Sequence, residues 1–330
     1  MARPRSKQVQ NVKAELIRRL RGSSHGPGSR FLSGRAVAKR FHVSYQTADR
    51  LLRELTAEGL LQRRLASGTY VPGQPRTCSG VELIFHPRAR RAASFGARLA
   101  ELLESAFLRA CIAVRLKCIG HGPVRMDPQW LPVIWECPAA VTACVEGQRP
   151  GIMINDLPPA GLGSLFLDSI CIDDFAGGAM AADLLAKRTG RARGFAVLAG
   201  PCSDARSAAR VAGFRSRYEA AVVAAPSWYV EGGLAVAARV LRCQPCAVFC
   251  CNDRLAEGLI LWCQKAKLRP PVVVGFDDAP VADRLGLTTI SIPWAGLAEA
   301  AVAAARRRID HDQSGGLRQV LSPRPVVRWP

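Results

Sequence analysis

Seven polar residues, His86, Asn155, Asp173, Asn252, Asp253, Asp277 and Asp278, stand at or just beyond the ends of short apolar runs with strand character. Their carboxylate, amide and imidazole groups suit hydrogen bonding to a polar small molecule. Nucleophilic and metal chemistry are not indicated. The five histidines, His25, His42, His86, His121 and His311, sit in no nucleophile or zinc signature, and no Gly-rich phosphate loop of the Walker type occurs. Among the twelve cysteines only Cys243, Cys246, Cys250 and Cys251 cluster, with no histidine nearby, so reduced, buried thiols are expected. The expectation is a binding protein, not an enzyme, with no cofactor and no metal.

The elements that must position these residues alternate in type. Strands are expected at 81–85, 114–119, 133–135, 151–154, 169–172, 194–199, 246–250 and 272–275, with helices at 95–110, 177–188, 253–267 and in the intervals between later strands. Such alternation predicts doubly wound parallel sheets, whose ligands bind at the carboxyl ends of the strands. Segment 120–150 is less patterned: His121-Gly122-Pro123 and Met126-Asp127-Pro128 look like loops. Arg306, Arg307 and Arg308 are expected to close a helix C-terminus, where cations are favoured.

Charge separates a head from this body. Residues 1–76 hold 16 Lys and Arg against 4 Asp and Glu, +12, whereas the remaining 254 residues carry 30 against 22, +8. A compact basic unit is the electrostatic footprint of a nucleic-acid-binding domain. Within it, Val9, Val12, Leu16, Ile17 and Leu20 form a helical stripe, and Ser33 starts a short helix to Phe41. After His42-Val43, Ser44 caps a second helix, Tyr45 to Gly59, with Ala48, Leu51, Leu52 and Leu55 facing inward. This is a helix-turn-helix, whose second helix enters the major groove. Tyr45, Gln46 and Asp49 would point to base edges, with Ser44, Thr47 and Arg50 near phosphates. Residues 59–71 then read as a hairpin entered by Arg63 and Arg64, with Gly68 able to approach a phosphate closely. A Pro/Gly/Ser linker, 73–80, follows.

The order Arg35-x-Val37-Ala38, Val43-Ser44-x-x-Thr47, Leu55-x-x-Glu58-Gly59-Leu60 and Ser67-Gly68-Thr69-Tyr70-Val71 resembles the GntR family of winged-helix regulators over about residues 7 to 72. In that family the arginine matching Arg35, the recognition helix and the wing glycine contact the operator. Tyr45 and Asp49 depart from it, standing where arginines are commonest. Four later segments resemble the sensor domain of LacI-type repressors, which shares the fold of periplasmic sugar-binding proteins. They are Ile172-Asp173-Asp174 with Gly177-Gly178, Leu198-Ala199-Gly200-Pro201 with Arg210-x-x-Gly213-Phe214, Asn252-Asp253-x-x-Ala256-x-Gly258, and Val274-Gly275-Phe276-Asp277-Asp278 with Leu287-Thr288-Thr289-Ile290.

The resemblance implies a two-lobed domain over 81–330, one lobe from 81–172 and 288–330 and the other from 173–287. It also implies ligand hydrogen bonds from Arg210, Asn252 and Asp277. Carboxylate, amide and guanidinium can each pair adjacent hydroxyls of a sugar, with Trp294 or Phe95 as the aromatic face. Asp173 could equally cap a helix.

The expected fold class is therefore α/β: a winged helix-turn-helix followed by a two-lobed periplasmic-binding-protein-like domain. The expected function is a DNA-binding repressor controlled by a small effector, a sugar, with operator DNA and a second copy of the chain as partners. The helix 253–267, through Leu255, Leu259, Ile260 and Trp262, is a candidate for the dimer interface. No run long enough to span a membrane and no secretory signal is read, so a cytoplasmic protein is expected. A nucleobase or other metabolite as effector, or an exported solute-binding protein, are the alternatives.

Overall fold

The computed structural model describes residues 7–21, 29–64, 68–72, 78–92, 94–120, 122, 124–147, 149–157, 166–310 and 316–329. Most of the expected linker, the wing turn at 65–67, the side chain of Arg64, and His25, His121 and His311 lie outside the described set.

In the head, α1 (Lys7–Arg21) buries Val12, Leu16 and Leu20. Ser33 accepts a bond from Ala36 N at 3.2 Å and so starts α2 (Gly34–Phe41). His42 adopts a left-handed conformation (φ 51°) that closes this helix and turns the chain. Ser44 then starts α3 (Tyr45–Ala57), its Oγ accepting from Thr47 N at 3.1 Å. Ala48, Leu51, Leu52 and Leu55 on α3 meet Leu16, Phe31, Val37, Leu60 and Leu61 in one core. Antiparallel β1 (Gln62–Arg64) and β2 (Gly68–Tyr70) make the wing, with Gln62 opposite Tyr70.

The next stretch comprises β3 (Gly80–Phe85), a 3₁₀ turn (Pro87–Arg90), α4 (Phe95–Arg109), β4 (Ala113–Cys118), β5 (Trp130–Trp135), α5 (Pro138–Glu146), β6 (Gly151–Ile154) and β7 (Leu167–Ile172). The poorly patterned stretch thus contains a strand and a helix. Burial explains why: β5 is apolar on both faces and α5 is nearly uniformly apolar, so neither shows a period. After β7 come α6 (Asp174–Thr189), β8 (Phe195–Ala199), α7 (Ala205–Arg215), β9 (Ala220–Ala224), α8 (Val230–Arg242), β10 (Ala247–Cys250), α9 (Asp253–Lys265), β11 (Val272–Asp277), α10 (Pro280–Arg284), β12 (Thr289–Ser291), α11 (Trp294–Ile309), β13 (Arg318–Leu321) and β14 (Arg324–Val326).

Two six-stranded sheets result, in the orders β13-β7-β6-β5-β3-β4 and β14-β12-β11-β10-β8-β9. In each, the five-strand parallel part runs 2-1-3-4-5, so the strand order reverses between β3 and β5 and between β8 and β10. Crevices at such reversals, at the carboxyl ends of the strands, are where doubly wound sheets bind ligands.

The chain divides into two compact units, Met1–Cys171 with Ala298–Gln319 and Ile172–Leu297 with Val320–Pro330. The expected lobe boundary near 288 is corrected by this division. β12 pairs parallel to β11, and the C-terminal β14 pairs antiparallel to β12, so residues 288–297 and 320–329 serve the second unit. The three arginines near 307 also do more than favour a helix end. Arg308 grips the buried Asp168 with Nε and Nη2, both at 2.8 Å, Arg307 pairs with the same carboxylate, and Leu317 N donates to it at 2.8 Å. This buried cluster ties the end of α11 and the chain before β13 to β7.

On α9, Leu255 and Leu259 are fully buried in the second unit's own core, while Ile260 and Trp262 pack against it half-buried. Burial also pushes the Cys251 thiol up to about 12 and holds the Cys250 thiol well above its ordinary value, so these neighbours stay protonated at neutral pH.

Candidate functional site

The second unit's polar centre is built by a close helix approach. A Cβ on Gly178 would stand 2.0 Å from Arg210 O, and one on Gly213 would stand 1.9 Å from Phe175 O. Glycines at both positions let α6 and α7 touch backbone to backbone, which brings Asp174 to Arg210. Arg210 is buried; its Nε donates to Asp174 Oδ1 at 2.7 Å and its Nη1 to Cys251 O at 2.5 Å, with Asp277 Oδ1 at 3.4 Å. The guanidinium also stacks 3.6 Å from the centre of the Phe276 ring. Burial works against its charge, but Asp174 and Asp277 outweigh that and hold it more firmly protonated than a free arginine.

Asp277 sits at the end of β11 in a left-handed conformation (φ 97°), followed by Asp278 (φ 53°). Two such residues in sequence cost on the order of 1–3 kcal/mol each and need outside support. Asp253 supplies part of it: the buried carboxylate accepts from Ala279 N at 2.7 Å and from Thr289 Oγ1 at 2.6 Å. A Cβ on Gly275 would lie 2.1 Å from Asp253 Oδ1, so glycine is required there. Arg328 holds Asp278 at 2.8 Å, and Trp294 donates Nε1 to Asp277 O at 3.2 Å. Burial pushes the Asp277 carboxyl up to about 6, against the pull of Arg210, with Asp174 adding to the rise. Burial, with the nearby Asp277 charge, also raises the Asp253 carboxyl well above the usual carboxylate range.

The remaining positions divide by role. Asn252 caps α9, its Oδ1 accepting from Leu255 N at 2.8 Å while Nδ2 donates to Trp228 O at 2.9 Å. Asp173 caps α6 through Ala176 N at 2.8 Å, the capping role weighed from the sequence. Trp294 is half-buried beside the Asp277 turn. The sequence reading missed Asp174, Trp228 and the clamp formed by Asp253. Trp228 lies 5.7 Å from the Arg210 guanidinium, and its indole covers Gly200, whose Cβ would come within 2.4 Å of the ring. Its Nε1 donates to Asp204 Oδ2 at 2.8 Å. Burial opposes ionisation of Asp204, but the paired bonds from Arg206 hold its carboxyl well below the usual range.

In the first unit two of the expected residues, His86 and Asn155, stand at the carboxyl ends of β3 and β6. His86 caps the 3₁₀ turn, its Nδ1 accepting from Arg88 N at 3.1 Å. Phe95 opens α4, half-buried, with its ring 5.9 Å from the buried Trp135. Arg88 stands over the same indole at 5.3 Å and pairs with Glu136. Asn155 ends β6 in a left-handed turn (φ 57°), its N–H donated to Ile170 O at 2.7 Å.

On the head, Arg35, Ser44, Tyr45, Gln46, Arg50 and Arg63 are exposed, and Thr47 and Gly68 are half-buried. Asp49 does not stand free toward a base edge. It pairs with Arg63 of the wing and with Arg53 at 2.9 Å, and the Arg63 bond holds its carboxyl below the ordinary value.

Residues 8–71 match the gntR family of bacterial regulatory proteins, and residues 182–329 match the periplasmic binding protein-like domain. The chain thus joins a GntR-type winged helix-turn-helix to a periplasmic-binding-protein-like domain of LacI-type fold. Among individual proteins, it is 32% identical over 177 residues to the HTH-type transcriptional repressor PurR of Salmonella paratyphi B, covering 49% of this chain and 51% of that one. It spans about half the length of the curated relatives it matches. Two solved structures share the fold. A LacI transcriptional regulator from a Rhodococcus species is 23% identical, with a TM-score of 0.63 over 75% of this chain and 96% of that one. The transcriptional regulator CelR in complex with cellobiose is 17% identical, with a TM-score of 0.64 over 99% of both chains.

Proposed function

We propose that the chain is a transcription repressor whose head binds operator DNA and whose two-lobed domain binds a small polar effector, a sugar. The observation that carries the reading is the buried triad of Asp174, Arg210 and Asp277 at the strand-order reversal, on the same chain as a capped helix-turn-helix with +12 charge. Buried charge-assisted groups that converge on a crevice suit a ligand rich in hydroxyls. Arg210 and Asp277, with Asn252 beside them, are the groups proposed to hold it. His86, Phe95, Asn155, Asp173 and Trp294 complete the proposed set.

A winged head covers one half-site, so the working form is proposed to be a C2 dimer on DNA in the cytoplasm. No helix among the described residues is long and apolar enough to cross a membrane. The regulator has relatives among transcription repressors and is proposed to have no enzymatic activity.

The test has two arms on the full-length protein. Genomic fragments are bound at low salt, and affinity is expected to fall by about 10³ between 50 and 200 mM salt if about six phosphates are contacted. A thermal-shift panel of sugars and nucleobases then looks for a ligand that raises the melting temperature. Failure to retain any fragment at low salt overturns the regulator; a shift with nucleobases alone overturns the sugar.

A further inference from the structure

The segment before α2 adds a third, short strand-like piece to the wing. Phe31 N donates to Thr69 O at 2.8 Å, Val71 N donates to Ser29 O at 2.9 Å, and Arg30 bridges Tyr70 in antiparallel register. Successive residues of an extended segment point to opposite faces. Phe31 is buried in the head's core, which leaves Arg30 on the outer face, exposed. Its guanidinium lies across the wing backbone at Gly68. A Cβ on Gly68 would stand 3.2 Å from Arg30 Nε and 3.5 Å from Arg30 Nη2, and the residue's φ is +123°. Glycine at 68 therefore does two things: it takes up a backbone conformation other residues rarely adopt, and it leaves room for the arginine.

Among the head's described basic side chains, Arg30, Arg35, Lys39 and Arg40 have no acidic partner, and of these Arg30 is the one seated on the wing at Gly68. The head's four acids tie up many of the other basic side chains. Asp49 pairs with Arg53 and Arg63, Glu54 with Arg50 and Lys13, Glu58 with Lys13, and Glu15 with Arg18 and Arg19. No acidic group among the described residues pairs with Arg30. An exposed guanidinium laid flat on a wing, with its fork uncommitted, has the geometry to bridge two oxygens of one phosphate.

We propose that Arg30 is a DNA-contacting residue of this protein, seated over Gly68 so that its guanidinium grips a backbone phosphate beside the groove entered by α3. This rests on the DNA-binding reading above. The contact is independent of base sequence, so a labelled random-sequence duplex of about 30 base pairs is a sufficient probe, titrated with full-length protein from about 50 to 200 mM salt. Arg30→Ala is expected to weaken binding by about fivefold or more and to lower the slope of log affinity against log salt by about one. Arg30→Lys keeps the charge and loses the fork, so it is expected to keep the slope and recover only part of the affinity. Gly68→Ala, which crowds the guanidinium at 3.2 Å and strains the wing backbone at φ +123°, is expected to weaken binding as well.

Arg269→Ala removes an exposed charge from the other unit and is expected to bind as wild type. Thermal melts confirm that each variant is folded. Wild-type affinity and slope in both Arg30 variants, with wild type itself binding, overturn the assignment of Arg30 while leaving the regulator intact. Absence of duplex binding by wild type overturns both.

Discussion

The Nε of Arg210 lies 2.7 Å from Oδ1 of Asp174, nearer than Arg210 comes to Asp277, whose Oδ1 is 3.4 Å from Nη1. Asp174 fixes the guanidinium, and Asp277 is left with a weaker hold on it. Two partners of unequal strength suit a site in which one carboxylate must remain available.

Removing either member of the Arg210–Asp174 pair strands a buried charge. Arg210→Ala is expected to lower unfolding free energy by about 3–5 kcal/mol, and Asp174→Ala by a comparable amount. The double variant is expected to lose less than the sum, with a coupling of about 1–3 kcal/mol. Urea unfolding of the four proteins measures it, and strict additivity would mean the pair does not act as a unit.

Asp277 is expected to be held at a cost to stability. Its folded-state carboxyl is raised to about 6, so the folded chain binds a proton there that the unfolded chain, near the ordinary Asp value, does not. The stabilisation this provides is complete below about pH 4 and is lost as pH rises through about 6. Asp277→Asn carries no such charge. It should therefore be more stable than wild type at pH 7, by at most about 3 kcal/mol, and this advantage should vanish near pH 4. Thermal melts of both proteins across that range decide it, and a variant less stable than wild type at pH 7 refutes it. The same variant is expected to lose effector response, the usual exchange between stability and a working site.

Much of this architecture was legible because its signals are local. Ser33 and Ser44 announce their helices through one hydrogen bond each, and the apolar positions of α3 repeat at helical spacing, so the head could be read nearly to the residue. The end-of-strand rule likewise led to Asp277 and Asn252. Long-range pairing was not legible. Asp174 and Arg210 are 36 residues apart, and the helix contact that joins them depends on Gly178 and Gly213, whose role is visible only when a Cβ is placed on them. Asp168 and Arg308 are 140 residues apart, so the arginines near 307 looked like the end of a helix. Trp228 follows no patterned strand in the sequence, which concealed its place beside Arg210. The lobe boundary failed for a related reason: β12 and β14 are three residues each, too short to show alternation.

Gly275→Ala tests the support beneath the Asp277 turn. The new methyl would enter the space of Asp253 Oδ1, which already accepts from Thr289. Either the carboxylate or β11 must move, so a loss of about 1–3 kcal/mol is expected. Because Asp253 Oδ2 holds Ala279 N, exchange of the Ala279 amide with solvent deuterium should speed up more than that of the β10 amides. Uniform acceleration across the sheet would point to general loosening and against a local clamp.

Asp49 provides the last test, because its two possible roles predict opposite signs. If its carboxylate reads a base, Asp49→Ala should lose discrimination among sequences without gaining affinity for random duplex. If it restrains arginines, as its pairing with Arg63 and Arg53 indicates, the substitution releases two cations next to the recognition helix. Affinity for random-sequence duplex should then rise severalfold, and the salt slope should steepen by about one or two. The cost to folding should be small, within about 1 kcal/mol, since both arginines are solvent-accessible. Anisotropy titrations against random duplex, run beside a urea melt, separate these outcomes. An unchanged slope with unchanged affinity would show that Arg53 and Arg63 stay away from phosphates even when released, and that Asp49 does not restrain them from DNA.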